Sequence, residues 1–261
     1  MLVKYIQPIF APNDEMLRRN LLSLNSFFDY YDAQEYSFEC VFGGYASSDV
    51  LWAEIESYIH SRCKKYKIFR FDKNYGKAYI VNELALNNIG DSEYFLTADS
   101  DIIFKSSEID LIGRLIEAFE YARSKSLNPA LISLFQEENN CQILPLCYEN
   151  TYYYGGAHQT EMICHPNGDG GVAGGCLFIS TEFWNRVNGY HVLGVYASDD
   201  CNLMKDAYKN GYKFLMSNSI RCIHPFDSNR AYSEWKIKTC PHSKELSEAI
   251  SEADIFWKSA T

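Results

Sequence analysis

No apolar run in this chain of 261 residues approaches the roughly 18 to 20 residues that a membrane helix needs, so no transmembrane segment is expected. Basic residues are scarce. There are 24 Lys+Arg against 34 Asp+Glu, a formal net charge of -10. Binding to phosphate backbones needs the opposite excess, which disfavours a general nucleic-acid binder. The chain has 9 Cys but no C-x-x-C pair, the closest grouping being Cys141 with Cys147. Zinc ligands are usually spaced more tightly. An odd number of scattered thiols reads as reduced and mostly buried, as in a cytoplasmic protein. The start, Met1-Leu2-Val3-Lys4-Tyr5-Ile6, has neither the basic stretch nor the long apolar core of a signal peptide. Internal repeats and low-complexity tracts are also missing. What is present is apolar material, 47% hydrophobic and 15% aromatic. That is enough to offset chain entropy, so a folded protein of one large or two small domains is expected.

Strand and helix patterns alternate through the first half. Residues 3–10 read as a buried strand, ended by Ala11-Pro12-Asn13-Asp14. Asn13 or Asp14 can cap a helix that places Met16, Leu17, Leu21, Leu24 and Phe28 at helical spacing. Further strands are expected at 38–42, closed by Gly43-Gly44, and at 67–71, 94–98 and 130–135. Helices are expected at 50–63, 76–87 and 108–124. Such alternation predicts an α/β fold, with an open, mostly parallel sheet and helices on both faces. Ligands of such sheets bind at the carboxyl ends of strands. Residues 137–171 lack clear periodicity and are rich in Asn, Tyr, Gly and His, the profile of a functional or mobile segment. From Ala231 on the chain is polar and helix-prone, like an appended element.

The strand at 94–98 runs straight into Asp99-Ser100-Asp101. Two carboxylates at i and i+2 beside apolar residues are costly unless a cation or hydrogen-bond donors satisfy them. A hard divalent ion with oxygen ligands, Mg²⁺ or Mn²⁺, does so and keeps positions free for phosphate oxygens. The plain alternative has Asp99 capping a turn and Asp101 solvated. Haloacid-dehalogenase-like phosphatases and GT-A glycosyltransferases both carry D-x-D at a strand end. In the phosphatases the first Asp is a nucleophile and follows the first core strand. Here about ninety residues of α/β chain precede Asp99, so the second resemblance is the better one.

That resemblance extends along most of the chain. Lys73-Asn74-Tyr75-Gly76-Lys77-Ala78 with Asn82 resembles the N-x-G-K…N segment of family 2-like glycosyltransferases. Gly170-Gly171-Val172-Ala173-Gly174-Gly175-Cys176, Val187-Asn188-Gly189-Tyr190, Ser198-Asp199-Asp200-Cys201-Asn202-Leu203 and Gly211-Tyr212 resemble their G-G…N-G-[FY]…[ED]-D-x-x-L…G block. The resemblance implies a GT-A, Rossmann-like sheet flanked by helices, with a small acceptor-side subregion and a C-terminal helical tail. It implies a glycosyltransferase domain at 1–230, with a nucleotide-sugar half at 1–105, an acceptor half at 106–230 and a helical extension at 231–261.

By the same resemblance Asp101, Asp99 and His224 would hold Mn²⁺ or Mg²⁺. Asp99, Lys77, Gly76, Asn74 and Pro8 would bind the nucleotide-sugar, with a UDP-sugar favoured. Lys77 at a helix start suits an anionic diphosphate. Asp200 would be the base that takes the acceptor hydroxyl proton, with Asp199 beside it. The competing reading of Asp199-Asp200 is a helix N-terminus, whose dipole favours Asp. Trp184, Gly174, Gly175 and Tyr154 are the acceptor candidates, since aromatic faces stack on sugar rings. The expected activity is inverting transfer of a hexosyl or N-acetylhexosaminyl group to a hydroxyl of a glycan or other acceptor, as in polysaccharide biosynthesis.

Three departures matter. Glycines 43 and 44 stand where the family usually has an acidic residue for the nucleotide base, leaving Tyr45 as a stacking candidate. Asp206 stands where an Arg is frequent. The Q-x-x-R-W motif of processive synthases is absent. The alternatives are a phosphatase with Asp99 as nucleophile, a non-catalytic sugar- or nucleotide-binding module, and a nucleotidyltransferase. The last lacks its Gly-rich loop after the first strand.

Overall fold

The computed structural model describes residues 3–32, 38–45, 47–90, 92–105, 110–137, 150–153, 161–164, 172–192 and 199–225. Tyr154, Cys141, Cys147 and the extension at 231–261 lie outside the described residues. Among the described residues, no helix is long and apolar enough to cross a membrane.

The first half follows the expected alternation. It runs β1 (Val3–Phe10), α1 (Asp14–Asp32), β2 (Phe38–Tyr45), α2 (Asp49–Arg62), β3 (Tyr66–Arg70), α3 (Lys77–Asn88) and β4 (Tyr94–Ala98). Next come β5 (Ile103–Phe104), α4 (Leu111–Ser124), β6 (Pro129–Glu137), β7 (Asn150–Tyr153) and β8 (Glu161–Cys164). The chain continues as β9 (Cys176–Ser180), α5 (Thr181–Val187), α6 (Asp199–Lys209) and β10 (Lys213–Ile223). The segment at 137–171 therefore contains two paired strands, β7 and β8, too short to show a period in the sequence.

Local chemistry explains the boundaries. Asn13 caps α1, its Oδ1 accepting from Met16 N at 3.0 Å. Ser48 and Asp110 cap α2 and α4 in the same way. α3 starts at Gly76, whose φ of 83° is open to glycine and strained for other residues. β2 runs through Gly43 and Gly44 instead of stopping before them. A Cβ on Gly44 would overlap the Trp52 ring, and one on Gly43 would press on Leu84. The glycines are there so that α2 and α3 can approach the sheet from its two faces.

One sheet carries the strand order β3-β2-β1-β4-β9-β6-β10-β8-β7, with β5 paired to β10. The ladders β1–β2, β2–β3, β1–β4 and β6–β10 are parallel. β9 is antiparallel to both of its neighbours, β4 and β6. The parallel character thus dominates the half from β3 to β4 and gives way to mixed pairing beyond β4. Strand residues alternate between two cores. Tyr5, Phe42, Leu96 and Phe178 join the core that includes Leu24, Ile55 and Leu115 of α1, α2 and α4. Ile6, Val41, Phe95 and Ile179 join the one that includes Val81, Phe183 and Leu203 of α3, α5 and α6. Period-two alternation with both faces covered is what buries β1 along its whole length.

Candidate functional site

Two registers bring the acidic motifs together. β4 runs antiparallel to β9 with Ala98 opposite Cys176. One step further, Asp99 meets Gly175, and Asp99 N donates to Gly175 O at 2.7 Å. The Asp99 carbonyl accepts from Gln7 Nε2 at 3.2 Å, and Gln7 also donates to Ser23 Oγ at 3.0 Å. The backbone after β4 is therefore pinned by β1 and by the glycine approach to β9. β5 runs antiparallel to the end of β10 with Ile103 opposite Ile223. That places His224 across from Ile102 and diagonal to Asp101, and His224 Nε2 lies 3.5 Å from Asp101 Oδ1.

α3 and α6 bring the rest of the site. Asp199 and Asp200 open α6, so the helix-start reading and the paired-carboxylate reading describe the same two residues. A Cβ on Gly174 would overlap the Asp200 carboxylate, which rests on the Gly174 backbone. Lys77, the first residue of α3, reaches across. Its Nζ donates to Gly174 O at 3.0 Å and lies 2.7 Å from Asp99 Oδ1 and 3.6 Å from Asp200 Oδ1. The contact with Asp99 is an ion pair without the angle of a directed hydrogen bond. Asn74 supports the start of α3, its Oδ1 accepting from Gly76 N at 3.0 Å.

The electrostatics follow from this packing. Burial, with the Asp200 and Asp99 charges adding to it, pushes Asp199 up from 3.8 to about 8. Asp199 Oδ1 has no hydrogen-bond partner among the described residues. Burial also raises Asp99, against the opposing pull of Lys77. Burial works to lower Lys77, but Asp200 and Asp99 overcome it and hold the ammonium well above its ordinary value. For His224 burial is likewise outweighed, chiefly by Asp101, and the imidazole is raised.

The donor set around Asp101 fits a hard cation of the Mg²⁺ or Mn²⁺ kind. One carboxylate and one imidazole stand together at the strand ends, and among the described residues no group of three His, Cys, Asp or Glu is arranged to hold a metal ion by itself. Mg²⁺ typically takes one or two protein carboxylates and fills its shell with water and substrate phosphate oxygens.

Not every expected residue joins this cluster. Pro8 sits inside β1 opposite Gly43, past the last pairing with β4, where a strand tolerates a missing N–H. Gly175 packs against Gln136 below the glycine turn. Trp184 is 4% exposed and packs edge-on against Phe95 and Tyr190, each at 5.1 Å. It is a core residue and presents no open face to a sugar. Asp206, in the place of the frequent Arg, contacts His191 Nε2 at 2.5 Å.

Two contributors were overlooked in the sequence. Gln7 is fully buried in an apolar strand, and that misplaced polarity was its signal. Tyr190 stands 6.0 Å from Lys77 with its ring, and its hydroxyl has no hydrogen-bond partner among the described residues. Asn82 clamps it, accepting from Tyr190 N and donating to Tyr190 O, both at 2.9 Å. The N-x-G-K…N segment and the N-G-Y segment are thus joined directly.

No protein-family model and no curated protein matches the chain. Solved structures do. The chain is similar to a mannosyltransferase from Pyrobaculum calidifontis in complex with GDP-Man and Mn²⁺, at 15% identity and TM-score 0.59, over 99% of this chain and 73% of that one. It is similar to S. aureus TarS 1-349 at 15% identity and TM-score 0.59, over 99% and 72%. It is also similar to GalNAc-T7 with UDP, GalNAc and Mn²⁺, at 14% identity and TM-score 0.61, over 87% and 44%. The α/β fold is of the GT-A type these proteins share.

Proposed function

We propose that this chain is a family 2-like, metal-assisted glycosyltransferase that moves a sugar with inversion from a nucleotide-sugar to an acceptor hydroxyl. The observation that carries the reading is the meeting of Asp99, Asp200, Lys77 and Gly174 at one spot, from segments far apart in sequence. A dispersed set of solvated aspartates would not share one ammonium.

Asp101, Asp99 and His224 would hold Mn²⁺ or Mg²⁺. Such an ion supplies Lewis-acid stabilisation of charge on the departing diphosphate. Asp200 takes the acceptor proton. Asp199 is the poorer base, because it keeps its own proton at neutral pH. Gly174 leaves the Asp200 carboxylate room, and Gly76 and Asn74 shape the start of α3 for the donor. The similar structures bound to GDP-Man, UDP, or UDP with GalNAc support a nucleotide-sugar donor here. A UDP-sugar is the donor we favour. We read 1–230 as the catalytic domain, donor half 1–105 and acceptor half 106–230, with 231–261 appended and Tyr154 on the acceptor side. The cytoplasm suits the described cysteines, none of which forms a disulfide with another described residue.

The test is transfer from UDP-, GDP-, CMP- and dTDP-sugars with Mn²⁺ or Mg²⁺. Asp101→Ala and Asp200→Ala should each abolish it. Full transfer by both variants would refute the site.

A further inference from the structure

A lysine at a helix start near a diphosphate site is expected to face solvent and wait for its anion. Lys77 does not. Its side chain is 17% exposed and its ammonium is engaged on three sides. One contact is a carbonyl, Gly174 O, on the approach to β9. The other two are carboxylates from opposite motif blocks, Asp99 after β4 and Asp200 at the start of α6. Three carboxylates, Asp99, Asp199 and Asp200, crowd this spot, and burial together with the charges of the other two raises the proton affinity of Asp199. Lys77 is the ammonium in contact with carboxylates from both blocks.

We propose that Lys77 is an internal counter-ion that holds the two acidic motifs together and competes with a divalent cation for Asp99. In this role it is a positioning residue. An arriving cation releases the ammonium from Asp99 and frees it to face the anionic part of the donor. The identity of the cation rests on the glycosyltransferase reading; the exchange itself rests on the three contacts.

The test measures Mn²⁺ binding to the full chain without donor, by titration calorimetry. Lys77→Met keeps most of the stem and removes the charge. The expected result is a lower melting temperature without metal together with Mn²⁺ binding tighter by about tenfold, the scale on which one nearby opposite charge shifts a carboxylate. Lys77→Arg restores wild-type Mn²⁺ affinity. Unchanged or weaker Mn²⁺ binding by folded Lys77→Met overturns the proposal, as does absence of Mn²⁺ binding in both proteins. The wild-type chain supplies an arm that needs no variant. Reductive methylation of Lys77, read by peptide mass spectrometry, should rise when Mg²⁺ is added, and an unchanged extent overturns the exchange. Tighter Mn²⁺ binding by Lys77→Met, with no transfer by the wild-type chain from any nucleotide-sugar, sinks the transferase reading and leaves this one standing. Transfer with unchanged Mn²⁺ affinity does the reverse.

Discussion

Asp199 and Asp200 are chain neighbours with different tasks, because one is buried and the other reaches Lys77. For Asp199 the folded-state value of about 8 lies above its ordinary 3.8. The folded chain therefore binds the proton more tightly than the unfolded chain, and stability falls as pH rises through that window. The melting temperature should decline from pH 5 to pH 8, and Asp199→Asn should flatten the decline. A slope identical in the variant would show that Asp199 is not its source. Asp200→Asn removes the proposed base while keeping the shape against Gly174. Turnover should drop by about 10² to 10⁴, with little change in donor KM. Lys77 shows why single residues were only partly legible. Its residue type and its helix-start position were readable in the sequence. Its partners were not, since Gly174 reaches it only through the pairing of β9 and Asp200 only through the packing of α6. Trp184 shows the opposite error, an aromatic beside a motif whose ring the sheet has claimed.

At the scale of elements, Asn82 works as a clasp between α3 and the turn after α5. Asn188 ends α5 in the left-handed region, and Gly189 follows at φ 74°. Tyr190 then gives both backbone groups to Asn82. Asn82→Ala removes two hydrogen bonds and should cost about 1 to 3 kcal/mol. A urea titration reads that loss, and a shift near zero would deny the clasp. Gly189→Ala should be worse, because the added Cβ enters a strained conformation against Asn82. Apart from β5, the helices and strands up to residue 137 were legible because apolar runs and turn residues alternate there, although Asp110 caps α4 from the left-handed region and Gly76 gives α3 no side-chain cap. β10 was harder. Ser217-Asn218-Ser219 interrupt its apolar run, and its register against β6 shifts between Met216 and Arg221. β5, only two residues long, has no period at all, yet it is what brings Asp101 to His224.

For the whole molecule, the acidic excess matters less than its arrangement. A nucleotide-sugar that binds only the folded chain should raise the melting temperature by mass action, about 2.7 kcal/mol at a hundred times Kd. Thermal scans with Mn²⁺ and each nucleotide-sugar in turn check this, and no shift with any of them would count against the donor site. The sheet also has a history written into its order. β9 lies between β4 and β6, two strands made well before it. A nascent chain that has emerged only through residue 171 has the run β3-β2-β1-β4 with an open β4 edge, and β6 without either of its neighbours, β9 and β10. Open edges are where strands pair wrongly and aggregate. Cys176–Ser180 then covers the β4 edge and sets Gly175 against Asp99. The cluster waits longer, for α6 with Asp200 and for β10 ahead of His224. During synthesis, then, the sticky edge is covered first and the charged cluster is assembled last.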